Sequence, residues 1–311
     1  MSYFSVIIPL FNKEKYILKT LESVLNQSCQ DFEIIIIDDG STDNSVSIIK
    51  AINDDRIQIT TQNNQGVSVA RNNAISQSKG KYLALLDADD LWHNNHLESF
   101  KKTISLFPEA GLFCNNYQIK RQGGLLTPTN LILEHQNQPL IVEDYFLVSQ
   151  TNSLAWTSSV CFTKSVFEKI GQFDTKLITG QDIDLWIRFA LNHSIAFNPE
   201  VTMIYNNFDD GSLSKSKLNL NRYYLINKYK KEEKGNTSLK MYLDINRYAL
   251  AIRCHLNSEK DLYKKLKKEI NYSNLNNKQK LLIKLPKWVL RLIKKFQLFL
   301  INKNIYLSAF K

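Results

Sequence analysis

Through residues 1–105, short uninterrupted apolar runs alternate with stretches whose apolar positions recur at helical spacing. Val6-Ile7-Ile8 is a β-branched run ended by Pro9, and Ile17, Leu18, Leu21, Val24 and Leu25 mark a helix between Glu14 and Asn26. Ile34–Ile37 is a continuous apolar strand that stops at Asp38-Asp39-Gly40-Ser41. Thr42–Ile52 then reads as a helix capped by Ser41 or Thr42. Arg56–Thr61 is strand-like, Gly66–Ser78 helical, and Tyr82–Leu86 a fourth strand ending at Asp87. Strands apolar on both faces, alternating with helices, predict an α/β fold with a mostly parallel central sheet flanked by helices. In such sheets the ligand crevice lies beyond the carboxyl ends of the strands.

Residues 106–210 carry a mixed pattern. Gly111–Tyr117 and Trp156–Phe162 read as strands, Lys164–Ile170 and Asp182–Asn192 as helices, and Ile195–Tyr205 as a strand broken by Pro199. Residues 121–140, with Gly123-Gly124, Pro128 and Pro139, read as a long loop, a feature that is usually functional or mobile. Residues 211–311 change texture and predict a C-terminal α-helical extension. Leu218–Lys234, Ser238–Leu256 and Glu259–Ile270 are Lys-, Tyr- and Leu-rich helical stretches, and a last helix begins near Pro286.

Composition adds a core and a charge split. At 311 residues and 43% hydrophobic, the chain is neither disordered nor a disulfide-stapled miniprotein. The net charge of +10 averages two regions: 16 basic and 24 acidic side chains in 1–210 (net −8), then 24 basic and 6 acidic in 211–311 (net +18). Such asymmetry points to an anionic partner for the second region. Cys29, Cys114, Cys161 and Cys254 form no CxxC pair or zinc spacing, so reduced, buried thiols and the cytosol are expected. The apolar stretch Phe4–Phe11 is too short for a signal peptide, and no apolar run is long enough for a membrane span.

Four clusters that can carry chemistry fall at predicted strand or helix ends. Asp38-Asp39-Gly40-Ser41 offers a carboxylate to a nucleobase or ribose, and equally a turn and helix cap. Asp87-Ala88-Asp89-Asp90 places three carboxylates in four residues, a repulsion that a hard divalent ion such as Mg²⁺ or Mn²⁺ would offset. Helix capping is the alternative there. Arg71, one turn into a helix after a Gly-containing loop, can pair with a pyrophosphate or stand solvated at the surface. In Gly180-Gln181-Asp182-Ile183-Asp184-Leu185-Trp186, two carboxylates straddle a helix start, where the dipole favours them, and one could act as a general base. Trp186 could lie beside a sugar face or belong to the core. His93 and His96 read as solvent-facing. No GxGxxG, Walker or GxSxG motif occurs.

Taken in order, Val6–Lys13, IIIIDDGSTD at 34–43, GVSVARNNAI at 66–75, LLDADD at 85–90 and GQDIDLWIRF at 180–189 resemble glycosyltransferase family 2, over residues 3–210. The resemblance implies a GT-A, Rossmann-like fold and inverting sugar transfer from a nucleotide-sugar donor. It divides the chain into a nucleotide-sugar half (1–105), an acceptor and base half (106–210) and the basic helical region (211–311). Pro9 and Phe11 would line the base pocket, Asp39 would bond the nucleobase, and Arg71 would approach the diphosphate. Asp87, Ala88 and Asp89 correspond to the DXD motif, with Asp89 and Asp87 on Mn²⁺ or Mg²⁺. Asp182 would be the catalytic base, with Gln181, Asp184 and Trp186 toward the acceptor. Gln181 stands where the family often has Glu, so Asp182 is expected to ionise more easily. Some members add a His ligand after the last strand; Tyr205–Asp210 supplies none, and Asp209 or water is the expected substitute.

The implied reaction moves a sugar, most simply from a UDP-sugar, to a glycan or lipid-linked glycan acceptor in bacterial surface polysaccharide assembly. Residues 118–155 are expected to set acceptor choice. The alternatives are a non-catalytic nucleotide-sugar-binding partner and a sugar-phosphate nucleotidyltransferase. The latter would want a Gly-rich basic N-terminal loop, which Pro9–Lys13 is not. In the last helix Lys287, Arg291, Lys294 and Lys295 accompany Trp288, Phe296 and Phe299, as in an interfacial amphipathic helix. The expected place is therefore the cytoplasmic face of an anionic membrane, with a helical bundle or homodimer interface as the alternative. No nucleic-acid-binding module is present. On this view the helical region positions the enzyme and takes no part in its chemistry.

Overall fold

The computed structural model describes residues 2–133, 137–207 and 217–301. The sheet is built on β1 (Phe4–Leu10), β2 (Phe32–Asp38), β3 (Ile57–Thr61) and β4 (Tyr82–Leu85), all parallel, in the order β3-β2-β1-β4. The order reverses between β1 and β4, and a crevice opens at such a switch point. Beyond β4 the sheet continues through β9 (Val160–Thr163), β6 (Leu112–Lys120), β10 (Ile195–Asn206) and β5 (Leu91–Trp92). There β9 runs antiparallel to both β4 and β6, while β10 is parallel to β6. Two short strands, β7 (Leu126–Pro128) and β8 (Leu140–Val142), add antiparallel to β6 and β10.

Period-two alternation sorts the strand residues into two cores. Val6, Ile8 and Leu10 of β1, with Ile34 and Ile36 of β2, face α1 (Ile17–Leu25) and α4 (His96–Leu106). Ile7, Ile35, Ile37, Leu83 and Leu85 face the other way, toward α3 (Val67–Gln77) and α7 (Gln181–Asn192). That second core continues without a break into the C-terminal helices. It takes in Leu225 and Ile226 of α8 (Asn219–Lys228), Leu243, Leu250 and Ala251 of α9 (Thr237–Leu256), and Leu266 of α10 (Lys260–Glu269). α5 (Tyr145–Val148) precedes β9 and α6 (Lys164–Ile170) follows it, and α11 (Asn277–Leu282) and α12 (Lys287–Ile301) complete the described helices.

Several expectations shift. β1 runs through Pro9 to Leu10, since Pro9 pairs in register with Ile37. Likewise β10 continues past Pro199, and irregularities in its register between Asn198 and Met203 absorb the missing N–H. α2 is only Ser45–Lys50; Ser41 and Thr42 do not cap it but bond Asn12 across the β1 loop. Residues 157–159 form a 3-10 turn ahead of β9. His96 is fully buried, stacked on Trp92 with Nδ1 2.7 Å from Thr202 Oγ1, and burial pushes its pKa down to about 3. All four cysteines are free and buried.

Candidate functional site

The carboxyl ends of β1, β2 and β4 and the N-termini of α3 and α7 converge on one cleft of about 840 Å³. Pro9 and Phe11 stand at the end of β1, and Phe11 is 45% exposed. Asp39 lies on the cleft wall yet is almost fully buried. Its Oδ1 accepts from Gln62 Nε2 and Gln65 N, and its Oδ2 from Gly66 N, each at 2.8 Å. These bonds fix the loop before α3, where Gly66 takes φ +91°, a conformation that L side chains rarely adopt. Three of an ionised carboxylate's roughly four acceptor positions are therefore filled, leaving about one for a ligand.

Arg71 is buried and donates from Nη2 to Asp87 Oδ1 at 2.5 Å; its Nε and Nη1 have no hydrogen-bond partner. Lys13 reaches from the β1 loop to Asp89 Oδ2 at 2.7 Å. Ala88 sits buried between the two carboxylates. Asp90, by contrast, is structural. Ser158 Oγ donates to it at 2.6 Å and Asn206 N at 2.9 Å, and burial, then Asp89 and Asp87, push its pKa well above the carboxylate range.

Asp87 and Asp89 offer oxygen donors, the kind that suit Mg²⁺ or Mn²⁺. Both are half-buried, and each holds a cationic side chain, so a cation is already balanced at each. Among the described residues no group of three or more His, Cys, Asp or Glu could hold a metal. The Asn206 side chain, donating to the Asp89 carbonyl, leaves its buried Oδ1 without a partner. Two carboxylates and one spare amide oxygen fit an ion that also needs ligands from a bound phosphate, as Mg²⁺ commonly does. Asp209, the expected substitute ligand, lies outside the described residues.

Asp182 begins α7 and lines the cleft. Its pKa is raised, first by burial; the Arg71 charge lowers it and the Asp87 charge raises it. Gln181 adds no charge beside it, and burial still holds the Asp182 carboxyl above the ordinary carboxylate range. Gln181 lines the cleft, and its buried Oε1 has no partner.

Asp184 and Trp186 do not reach the cleft. Asp184 is turned about 200° from Asp182 on the helix. It is fully buried, bonded by Tyr229 Oη at 2.7 Å and paired with Lys228 at 2.7 Å and Arg188 at 2.9 Å. Arg188 also holds the carbonyls of Ile170, Gly171 and Gln172, so this cluster anchors the helix that carries Asp182. Trp186 is fully buried in the core beside Phe162 and Phe189.

The model of glycosyl transferase family 2 matches residues 5–171, more than half of the chain. The chain belongs to glycosyltransferase family 2. It is 31% identical to an uncharacterized glycosyltransferase of Rickettsia bellii (strain RML369-C) over 234 residues, 72% of this chain and 33% of the relative. It is 31% identical over 219 residues to the putative teichuronic acid biosynthesis glycosyltransferase TuaG of Bacillus subtilis (strain 168), 68% of this chain and 82% of TuaG. Chondroitin synthase of Escherichia coli is 30% identical over 192 residues, 60% of this chain and 26% of the synthase. The chain spans about a third of the length of the Rickettsia bellii relative and about a quarter of that of chondroitin synthase. S. aureus TarS 1–349 in complex with UDP-GlcNAc superposes with a TM-score of 0.69 at 17% identity, covering 88% of this chain and 83% of TarS, a likeness of fold.

Within this family 2 cleft, several residues carried no sequence signal. Lys13 meets Asp89 from a loop whose Asn12 and Lys13 backbone N–H groups donate to Ser41 and Ser45. Trp156 and Tyr205 meet on the cleft wall with ring centroids 4.1 Å apart and planes tilted by 44°. The helical region also lines the cleft, through Arg222 of α8 and one face of α9.

Proposed function

We propose that this family 2 chain is a metal-dependent inverting glycosyltransferase that moves a sugar from a UDP-sugar to a hydroxyl of a glycan or lipid-linked glycan acceptor. The observation that carries it is the meeting of Asp182, Arg71 and Asp87 in one cleft, close enough for their charges to act on one another. Asp182 takes the acceptor hydroxyl proton as that oxygen attacks the anomeric carbon from the face opposite the diphosphate. Arg71, with two guanidinium nitrogens unpartnered, meets the leaving diphosphate. Asp87 and Asp89 would hold Mn²⁺ or Mg²⁺, which when bound neutralises the departing phosphates. Pro9, Phe11 and Asp39 take the nucleotide base, residues 1–105 forming the donor half and 106–210 the base-bearing half. The complex of TarS with UDP-GlcNAc supports a UDP-linked donor, and the names of TuaG and chondroitin synthase support bacterial surface polysaccharide assembly.

A hydrolysis screen of UDP-, dTDP-, GDP- and CMP-sugars with Mn²⁺, Mg²⁺ or EDTA tests this. The expected result is release of UDP with either metal, inversion at the sugar, and loss of nearly all turnover in EDTA. Asp89→Ala should weaken metal-dependent donor affinity by roughly 10–100-fold. Full turnover in EDTA would remove the metal. Formation of UTP and a sugar 1-phosphate when pyrophosphate is added would favour a nucleotidyltransferase, and binding without turnover a non-catalytic partner.

A peripheral seat on the cytoplasmic face of the membrane is part of the proposal. Among the described residues no helix is long and apolar enough to cross a membrane. On α12, Trp288, Leu292, Phe296 and Phe299 are exposed beside Arg291, Lys294 and Lys295. Each basic residue near an anionic surface contributes about 1 kcal/mol. Flotation with phosphatidylglycerol vesicles should succeed, and fail after Arg291, Lys294 and Lys295 are replaced by Gln. Equal flotation of both proteins, or dimerisation through α12 in sedimentation, would overturn it.

A further inference from the structure

Trp156 and Tyr205 form an aromatic corner on the cleft wall, and both are half-buried. Tyr117 backs the corner from the core. Its ring centroid lies 5.6 Å from that of Trp156, and its Oη donates to the Ser153 carbonyl at 2.9 Å. Trp156 Nε1, by contrast, has no hydrogen-bond partner. A structural indole is ordinarily bonded, as at Trp92, whose Nε1 donates to the Ser158 carbonyl at 2.7 Å. Trp186 also lacks a partner for its N–H, but it is fully buried in the core. Among the described tryptophans, Trp156 alone joins an unpartnered N–H to a place on the cleft.

The corner is bolted to the Asp87–Asp90 segment from both sides. Ser158, two positions after Trp156, accepts from Asp87 N at 3.0 Å and donates to Asp90 Oδ2 at 2.6 Å. Asn206, the neighbour of Tyr205, donates through its backbone N–H to Asp90 Oδ1 at 2.9 Å and through its side chain to the Asp89 carbonyl. Each ring therefore stands one or two residues from a group in direct contact with that segment. At about 3.8 Å per residue, both rings lie within reach of a group attached to a diphosphate held at Asp87 and Asp89.

We propose that this corner seats the sugar of the nucleotide-sugar donor, with one C–H face of the sugar ring packed on Trp156 and Tyr205. This deepens the transferase reading and rests on it. A pyranose carries its hydroxyls around its rim and C–H groups on its faces, so an aromatic surface can bury a face while the hydroxyls keep their partners. The two planes are tilted by 44°, which makes a wedge rather than a flat shelf and limits how the sugar can turn. In the proposed reaction the anomeric carbon must present the face opposite the diphosphate to the acceptor, so fixing the sugar's orientation serves the chemistry directly.

The test compares binding of UDP with that of UDP-glucose, UDP-galactose, UDP-N-acetylglucosamine and UDP-N-acetylgalactosamine to the full chain with Mn²⁺ and without acceptor. Trp156→Leu and Tyr205→Leu should each weaken the tightest UDP-sugar by at least about fivefold and leave UDP within about twofold. Trp156→Phe and Tyr205→Phe keep an aromatic ring and should hold that UDP-sugar within about threefold of wild type. On the wild type, NMR saturation of aromatic protons should pass to the sugar-ring protons of the bound UDP-sugar, a measurement that needs no variant to fold. Unchanged UDP-sugar affinity in the Leu variants, a parallel loss of UDP, a loss confined to acceptor KM, or no transfer to the sugar ring would each overturn the assignment. Any of these results with UDP bound by the wild type removes the corner alone. If neither UDP nor a UDP-sugar binds the wild type, the UDP-donor reading falls and the corner falls with it.

Discussion

Asp182→Asn is expected to lower kcat by roughly three orders of magnitude while donor affinity stays within about threefold. The amide keeps the shape of the helix start but cannot take a proton. Burial raises the Asp182 pKa, Arg71 lowers it and Asp87 raises it. The base works only when ionised, so the acid limb of kcat/KM should fall above the ordinary carboxylate value. The sign for stability is the opposite of the usual carboxylate case. A raised folded pKa adds stability below the unfolded value, and this is lost as pH rises through the folded value. At neutral pH the ionised Asp182 is thus a burden on the fold, and Asp182→Asn should melt no lower than the parent. Near-parental turnover would remove Asp182 from the base role; normal turnover loss with a much lower Tm would point to misfolding instead.

Arg71→Met should cut kcat/KM by roughly 10²–10³-fold and leave Tm unchanged or higher. Arg71 is 3% exposed, yet Nε and Nη1 bond nothing. Each unsatisfied buried donor costs about 1–3 kcal/mol. Arg247 is equally buried, but its Nη1 sits 2.8 Å from Glu233 and 2.9 Å from Asp244, as befits an arginine that supports structure. Asp87 is about one-third exposed, so water can take over when its partner goes. Methionine keeps the apolar stem against Phe173, where the guanidinium lies 5.3 Å from the ring. Donor titration and thermal melts on the same variant check both halves. Lower stability with normal kcat/KM would make Arg71 a packing residue.

The strands of the first half were legible because their signal is local. Runs such as Ile34–Ile37 need only be apolar to be strands, and the polar residues that end them mark the crevice by rule. Lys164–Ile170 was bounded to the residue, with Thr163 as its cap. What failed was orientation. The sequence places Asp182, Asp184 and Trp186 on one helix, but α8 and the core decide which of them meets solvent. His96 was misjudged for the same reason: Thr202, far along the chain, takes up its Nδ1. The α9 wall carries no motif at all. Its apolar spacing reads as ordinary core, and only docking against the sheet assigns one face to the cleft.

The continuous α9 face bears on how such a gene can be recombined. The family match ends at residue 171, before Asp182 and well before α9. A crossover near residue 215 would look harmless by motif, since every recognisable signature lies upstream. It would nevertheless pair one parent's strand-end side of the cleft with the other parent's α9 wall, and mismatch Leu225 against Gly180 at the seam. Viable hybrids should therefore come from joints that carry α7, α8 and α9 together. The α9 side of the cleft would then be inherited with the tail of the gene rather than with its signature-bearing head.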